Sequence, residues 1–85
     1  MKVTQKTKET EFHNWVSGIV GKYDYQAMVF DEPSEYGIEN GRVSKLVLRL
    51  NRKEVAQYDR GWESDTAPTD PDVNVAVDAI VRHYA

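Results

Sequence analysis

The sequence predicts an α+β fold, an antiparallel sheet of about four strands with one C-terminal helix packed on one face. Three observations predict it. Apolar and polar residues alternate through 23–29 and again through 42–50, the period of a half-buried strand. Short turn-forming breaks, Gly21-Lys22 and Asn51-Arg52, sit beside those runs, as hairpins require. Beyond residue 70 the apolar spacing becomes helical, with Val73, Val77, Ile80, Val81 and Tyr84 on one face.

Taken in order, residues 1–10 are polar and are expected to be flexible and loosely attached. Strands and one long loop fill 12–60, and the helix spans 70–84, all within a single domain over 1–85. Aromatic and β-branched residues from Phe12 to Val20 mark the first strand. In the second, Tyr23, Tyr25, Ala27 and Val29 share a face. Phe30 breaks that alternation and predicts cover on both faces near the strand's end. In the third strand, Leu46, Leu48 and Leu50 point one way and Lys45, Val47 and Arg49 the other. Asn51 suits the positive φ of a tight turn. Residues 54–58 then return as the fourth strand, Val55 on one side and Ala56 and Tyr58 on the other. Thr69-Asp70-Pro71-Asp72 has the chemistry of a helix start: a capping oxygen, a proline for the first turn, and acids at the positive end of the dipole. Because the helix is rich in β-branched residues, its own propensity is poor. It must depend on docking against the sheet.

A chain of 85 residues with no cysteine has one modest core and no disulfide or thiolate staple. Its 40 % hydrophobic and 11 % aromatic content is that of a folded domain. The N-terminal residues lack a signal-type apolar run, and no stretch is long and apolar enough to cross a bilayer. The expectation is a cytoplasmic protein with no membrane partner, a monomer or small homo-oligomer. A net charge of −3 argues against wrapping nucleic acid by overall field. The charge is uneven, however. Residues 42–53 carry five cations and no acid, whereas 59–72 are acidic apart from Arg60.

Catalytic chemistry has little support, and we expect no enzyme, no cofactor and no metal. His13 and His83 lack ligand spacing. Ser34 lies between Glu32 and Glu35, which hinder rather than help a nucleophile. The acid pairs Asp31/Glu32 and Asp70/Asp72 read as a solvated turn and a helix start. The basic strand offers Lys45 and Arg49 on one face, with Arg42, Arg52 and Lys53 at its ends. These are candidate contacts for phosphate or an acidic partner. The plainer reading is an exposed face guarded by charge against aggregation. No aromatic stacking set interleaves them.

The connections are the anomaly. Residues 31–41 and 59–69 are long for a hairpin and a strand-to-helix link, and such loops are usually functional. They carry Tyr36, Ile38 and Trp62. If the third and fourth strands form a hairpin, residues 42 and 60 lie at one end of the sheet. That places Tyr36, Arg42, Arg60 and Trp62 in one region, a composition typical of binding hot spots. Pro33 restricts one end of the first loop, and Gly37 allows a tight turn. Trp62 and Ile38 could equally plug the end of the core, with Arg60 paired to Glu35 or Asp59.

The segments Glu32–Ile38, Gly41–Leu46 and Tyr58–Trp62, with Trp15 before them, resemble a small uncharacterised domain family of bacteriophages, prophages and Gram-positive bacteria. The signature reads Glu-Pro-Ser-x-Tyr-Gly-Ile, Gly-Arg-x-Ser-Lys-Leu and Tyr-x-Arg-Gly-Trp. The resemblance implies a mobile-element setting and supplies no established activity. It also implies that both loops belong to one signature. The expected function is therefore binding to a host protein through the 31–41 and 59–69 loops, by analogy with small phage inhibitors of host defence. The alternative is a nucleotide- or nucleic-acid-binding module built on the basic 42–53 strand.

Overall fold

The computed structural model describes residues 1–7, 14–63 and 68–85. Among these residues, five strands form one antiparallel sheet: β1 (Val3–Gln5), β2 (Trp15–Val20), β3 (Tyr23–Val29), β4 (Val43–Leu50) and β5 (Lys53–Asp59). Spatial order equals chain order, so every strand pairs with its sequence neighbour and no crossover is needed. One helix, α1 (Pro71–His83), closes the fold. The four expected strands are all present. The fifth, β1, lies inside the polar stretch expected to be loosely attached. It pairs Val3 with Val20 and Gln5 with Gly18, and only Val3 of its residues is part-buried. Its attachment is chiefly backbone hydrogen bonding, which apolar periodicity does not reveal. Phe12 and His13 lie outside the described residues.

Alternation decides which face is covered. Val16, Val20, Tyr25, Ala27, Leu46 and Leu48 are buried on the side that α1 covers. Lys45, Val47 and Arg49 stand on the other side, as expected, and are part-buried. The two tight turns also follow from the sequence. Gly21 takes φ 57, and Asn51 and Arg52 take φ 52 and 69, the left-handed pair of a two-residue hairpin. Phe30 departs from expectation. It falls just outside β3 and is 38 % exposed, so the sheet is not covered on both faces there. Val55 departs too, because a register break between Leu48 and Arg49 leaves it as an extra residue opposite no partner. It packs against the core instead, on the same side as Ala56 and Tyr58, as a bulge permits.

The helix starts as its sequence dictates. Asp70 Oδ1 accepts the backbone N–H of Asp72 at 2.9 Å and of Val73 at 3.5 Å, with Pro71 in the first turn. Val73, Ala76, Val77, Ile80 and Tyr84 are buried. Tyr84 ties the helix end to the sheet. Its hydroxyl donates to Gln5 Oε1 at 2.9 Å and lies 2.6 Å from the Tyr25 hydroxyl. Burial pushes the Tyr25 phenol above its ordinary pKa, and the Tyr84 hydrogen bond partly opposes that shift. Gly18 makes room for the junction, since a Cβ there would meet the Thr4 carbonyl oxygen at 2.1 Å.

Candidate functional site

The first loop, 31–41, is closed by its own hydrogen bonds. Ser34 N–H donates to the Gly41 carbonyl at 3.1 Å and pinches the neck. Ser34 Oγ accepts from Tyr36 N–H at 3.1 Å, so this hydroxyl holds a turn. Gly37 N–H donates to the Ser34 carbonyl, and a 3-10 turn, Ile38–Asn40, follows with Gly41 N–H returning to the Ile38 carbonyl. Gly37 earns its place by crowding rather than by conformational freedom. Its φ is −78, open to any residue, but a Cβ there would sit 2.1 Å from the Gly41 carbonyl oxygen. The left-handed residues are instead Glu39 (φ 54) and Asn40 (φ 60).

After β5 the chain folds back on its own strand. Asp59 N–H donates to the Gly61 carbonyl at 2.9 Å, and Arg60 N–H donates to the Ser44 carbonyl at 3.0 Å. Arg60 itself is left-handed, at φ 57. The reversal brings Trp62 against Tyr58 edge to face, with centroids 5.0 Å apart and planes at 78°. Tyr58 then joins the two loops, its hydroxyl donating to the Tyr36 carbonyl at 2.8 Å. Burial pushes the Tyr58 phenol up as well.

Between the loops and α1 lies a cleft of about 600 Å³. Ile38, Tyr58, Trp62, Val77 and Val81 give it apolar walls, and Glu39, Asn74 and Asp78 give it polar edges. Of the residues singled out in the sequence, Trp62 lines this cleft and is half-buried against the core. Tyr36 stands 55 % exposed, joined to the cleft wall through Tyr58. Arg60 is exposed next to Gly61, and no ion pair holds it among the described residues. Neither Glu35 nor Asp59 pairs with it, and Asp59 instead faces Lys45 across the strand pair at 3.8 Å. Arg42 is not among the lining residues. Its Nε donates to the Phe30 carbonyl at 2.7 Å, which fixes it at the base of the first loop.

The basic strand does not make a continuous strip. Lys45 pairs with Asp59, and Arg49 bonds Gln26 at 3.0 Å and pairs with Glu54 at 3.9 Å. Arg52 and Lys53 lie at the tight turn, the opposite end of the sheet from the cleft. Sequence reasoning missed the helix wall of the cleft and Glu39. The available signal was the width of the helix stripe, since Val81 lies beside Ile80 at its margin. Among the described residues no group of three or more His, Cys, Asp or Glu is placed to hold a metal. His83 sits edge to face with Tyr84, centroids 4.7 Å apart. No helix among the described residues is long and apolar enough to cross a membrane.

A family model described as a domain of unknown function (DUF7678) matches residues 14–85. With most of its length matched, the chain belongs to this family. The matched span begins just before β2 and contains both loops, α1 and the whole cleft, while β1 lies outside it. No curated protein matches, and no solved structure matches.

Proposed function

We propose that this domain is a non-enzymatic binding module that engages a host protein where the 31–41 and 59–69 loops meet, in the manner of a phage or prophage inhibitor of host defence. One observation carries the reading: a large exposed aromatic, Tyr36, is tied through its carbonyl to Tyr58 in the wall of a cleft whose loops are already held by hydrogen bonds. A surface ordered before binding loses less entropy on binding. Tyrosine supplies contact area at low rotamer cost, and Arg60 adds a forked donor with no ion-pair partner among the described residues. The alternative, phosphate binding by the 42–53 strand, has weaker support because Lys45 and Arg49 are already matched by acids.

The test is capture of host proteins by the immobilised domain, with Tyr36→Ala and Arg60→Ala beside it. The Tyr36 atom that matters for the fold is its carbonyl, which alanine retains. Both variants should melt within a few degrees of the parent and lose the captured protein. Salt separates the two readings, since phosphate-driven binding weakens steeply as salt rises and aromatic-anchored binding weakens little. Equal capture by parent and both variants would place the function elsewhere.

A further inference from the structure

We infer that the cleft receives a basic side chain, arginine or lysine, presented by the protein partner; this rests on the reading of the two-loop end as the binding surface. The lining includes two carboxylates, Glu39 and Asp78, and no lysine, arginine or histidine. Glu39 is exposed and has no ion-pair partner among the described residues. Its backbone is left-handed (φ 54, ψ 34) within the hydrogen-bonded turn, so the carboxylate is set at the cleft edge by a fixed loop. Asp78 pairs with Arg82 at 2.9 Å, but that arginine side chain is 80 % exposed. A solvated pair of this kind exchanges easily for a better one.

The walls suit the rest of a basic side chain. Ile38, Val77 and Val81 offer apolar surface to a methylene stem, and Trp62 places in the same lining an aromatic ring, a group that attracts cations. The other chemistries fit worse. An anion would meet the Glu39 carboxylate, which has no ion-pair partner among the described residues, and no cation in the lining. An uncharged apolar anchor would cover the cleft and strip water from Glu39 with nothing in return. A cation removes that cost by pairing with it.

The probe is a set of capped pentapeptides, Leu-Ala-Xaa-Ala-Leu, with arginine, norleucine or glutamate at the centre. Trp62 fluorescence reads binding in a Trp15→Phe background, since Trp15 is not part of the cleft. The arginine peptide should give a saturable change, with the norleucine and glutamate peptides at least tenfold weaker. Glu39→Gln with Asp78→Asn should weaken the arginine peptide at least tenfold while the far-ultraviolet spectrum and melting curve stay those of the parent. Norleucine binding as tightly as arginine, or no saturable response to arginine, overturns the inference. Host-protein capture keeps its failure distinct from that of the broader reading. If Tyr36→Ala abolishes capture and Glu39→Gln with Asp78→Asn leaves it intact, the two-loop surface stands and the basic side chain falls. If the arginine peptide binds while Tyr36→Ala captures normally, the reverse holds.

Discussion

Replacing Ile80 with alanine tests whether α1 is integral to the fold. Ile80 is 0 % exposed and lies in the single core cluster between helix and sheet. The change removes three carbons, each worth about 0.8 kcal/mol of lost burial, or about 2.4 kcal/mol together. The void left behind raises the cost to about 3–4 kcal/mol. At about 0.05–0.15 kcal/mol per residue, a chain of 85 residues holds about 4–13 kcal/mol in total. The variant should therefore melt about 15–25 °C lower by circular dichroism. Val75→Ala is the control, because Val75 is on the same helix but 50 % exposed. It should leave the midpoint unchanged or slightly higher, alanine being the better helix former. Removing residues 70–85 should abolish the cooperative transition altogether. A drop below about 5 °C for Ile80→Ala, or a cooperative melt without the helix, would refute the docking argument.

Three further outcomes follow from the site. Gly37→Ala would press its new Cβ against the Gly41 carbonyl, which must shift; it should cost about 1–3 kcal/mol and weaken partner capture, read by melting and pull-down together. Glu39→Gly relieves a left-handed residue and should raise the midpoint by a few degrees while weakening the arginine peptide, a gain in stability at the expense of binding. Alkaline titration should destabilise the fold. Burial raises the phenol pKa of Tyr25 and Tyr58, so the folded state favours their neutral forms. That contribution is complete below the ordinary value of about 10 and is lost as pH rises through the folded values. Tyr58→Phe should reduce the alkaline loss, and lower stability at neutral pH by about 1 kcal/mol through the missing hydrogen bond.

What was legible in the sequence was what a single chain segment encodes by itself. The alternation of Leu46, Leu48 and Leu50, the Asn51-Arg52 turn and the Asp70 cap are local patterns with local causes, and each appears where it was expected. Features that depend on register were not legible. Lys45 meets Asp59 only because β4 and β5 pair as they do, so the basic run read as free charge when two of its five cations are matched by acids. Ser44 and Val55 sit at register breaks that no periodicity announces. The cleft was half legible. Pairing β4 with β5 put the two loops at one end, but the helix wall needed the docking geometry.

The length of the first loop bears on function in its own right. This chain closes two hairpins with two-residue turns, at Gly21-Lys22 and at Asn51-Arg52. Topology therefore does not require 31–41 to be long. Each extra ordered residue costs about 1–2 kcal/mol of backbone entropy. The only residue of that loop in the hydrophobic core is Ile38, whose burial contributes about 1.5–3 kcal/mol. The loop also holds Glu39 in a conformation disfavoured for residues with a Cβ. On stability alone a two-residue turn is the better solution, and the extra length is what the proposed binding role would require. Among its exposed residues, Glu39 lies on the edge of the cleft and Tyr36 is joined to the cleft wall through Tyr58. A binding surface whose ordering cost is met during folding need not meet it again on contact, and under the proposed function that is the advantage of the longer connection.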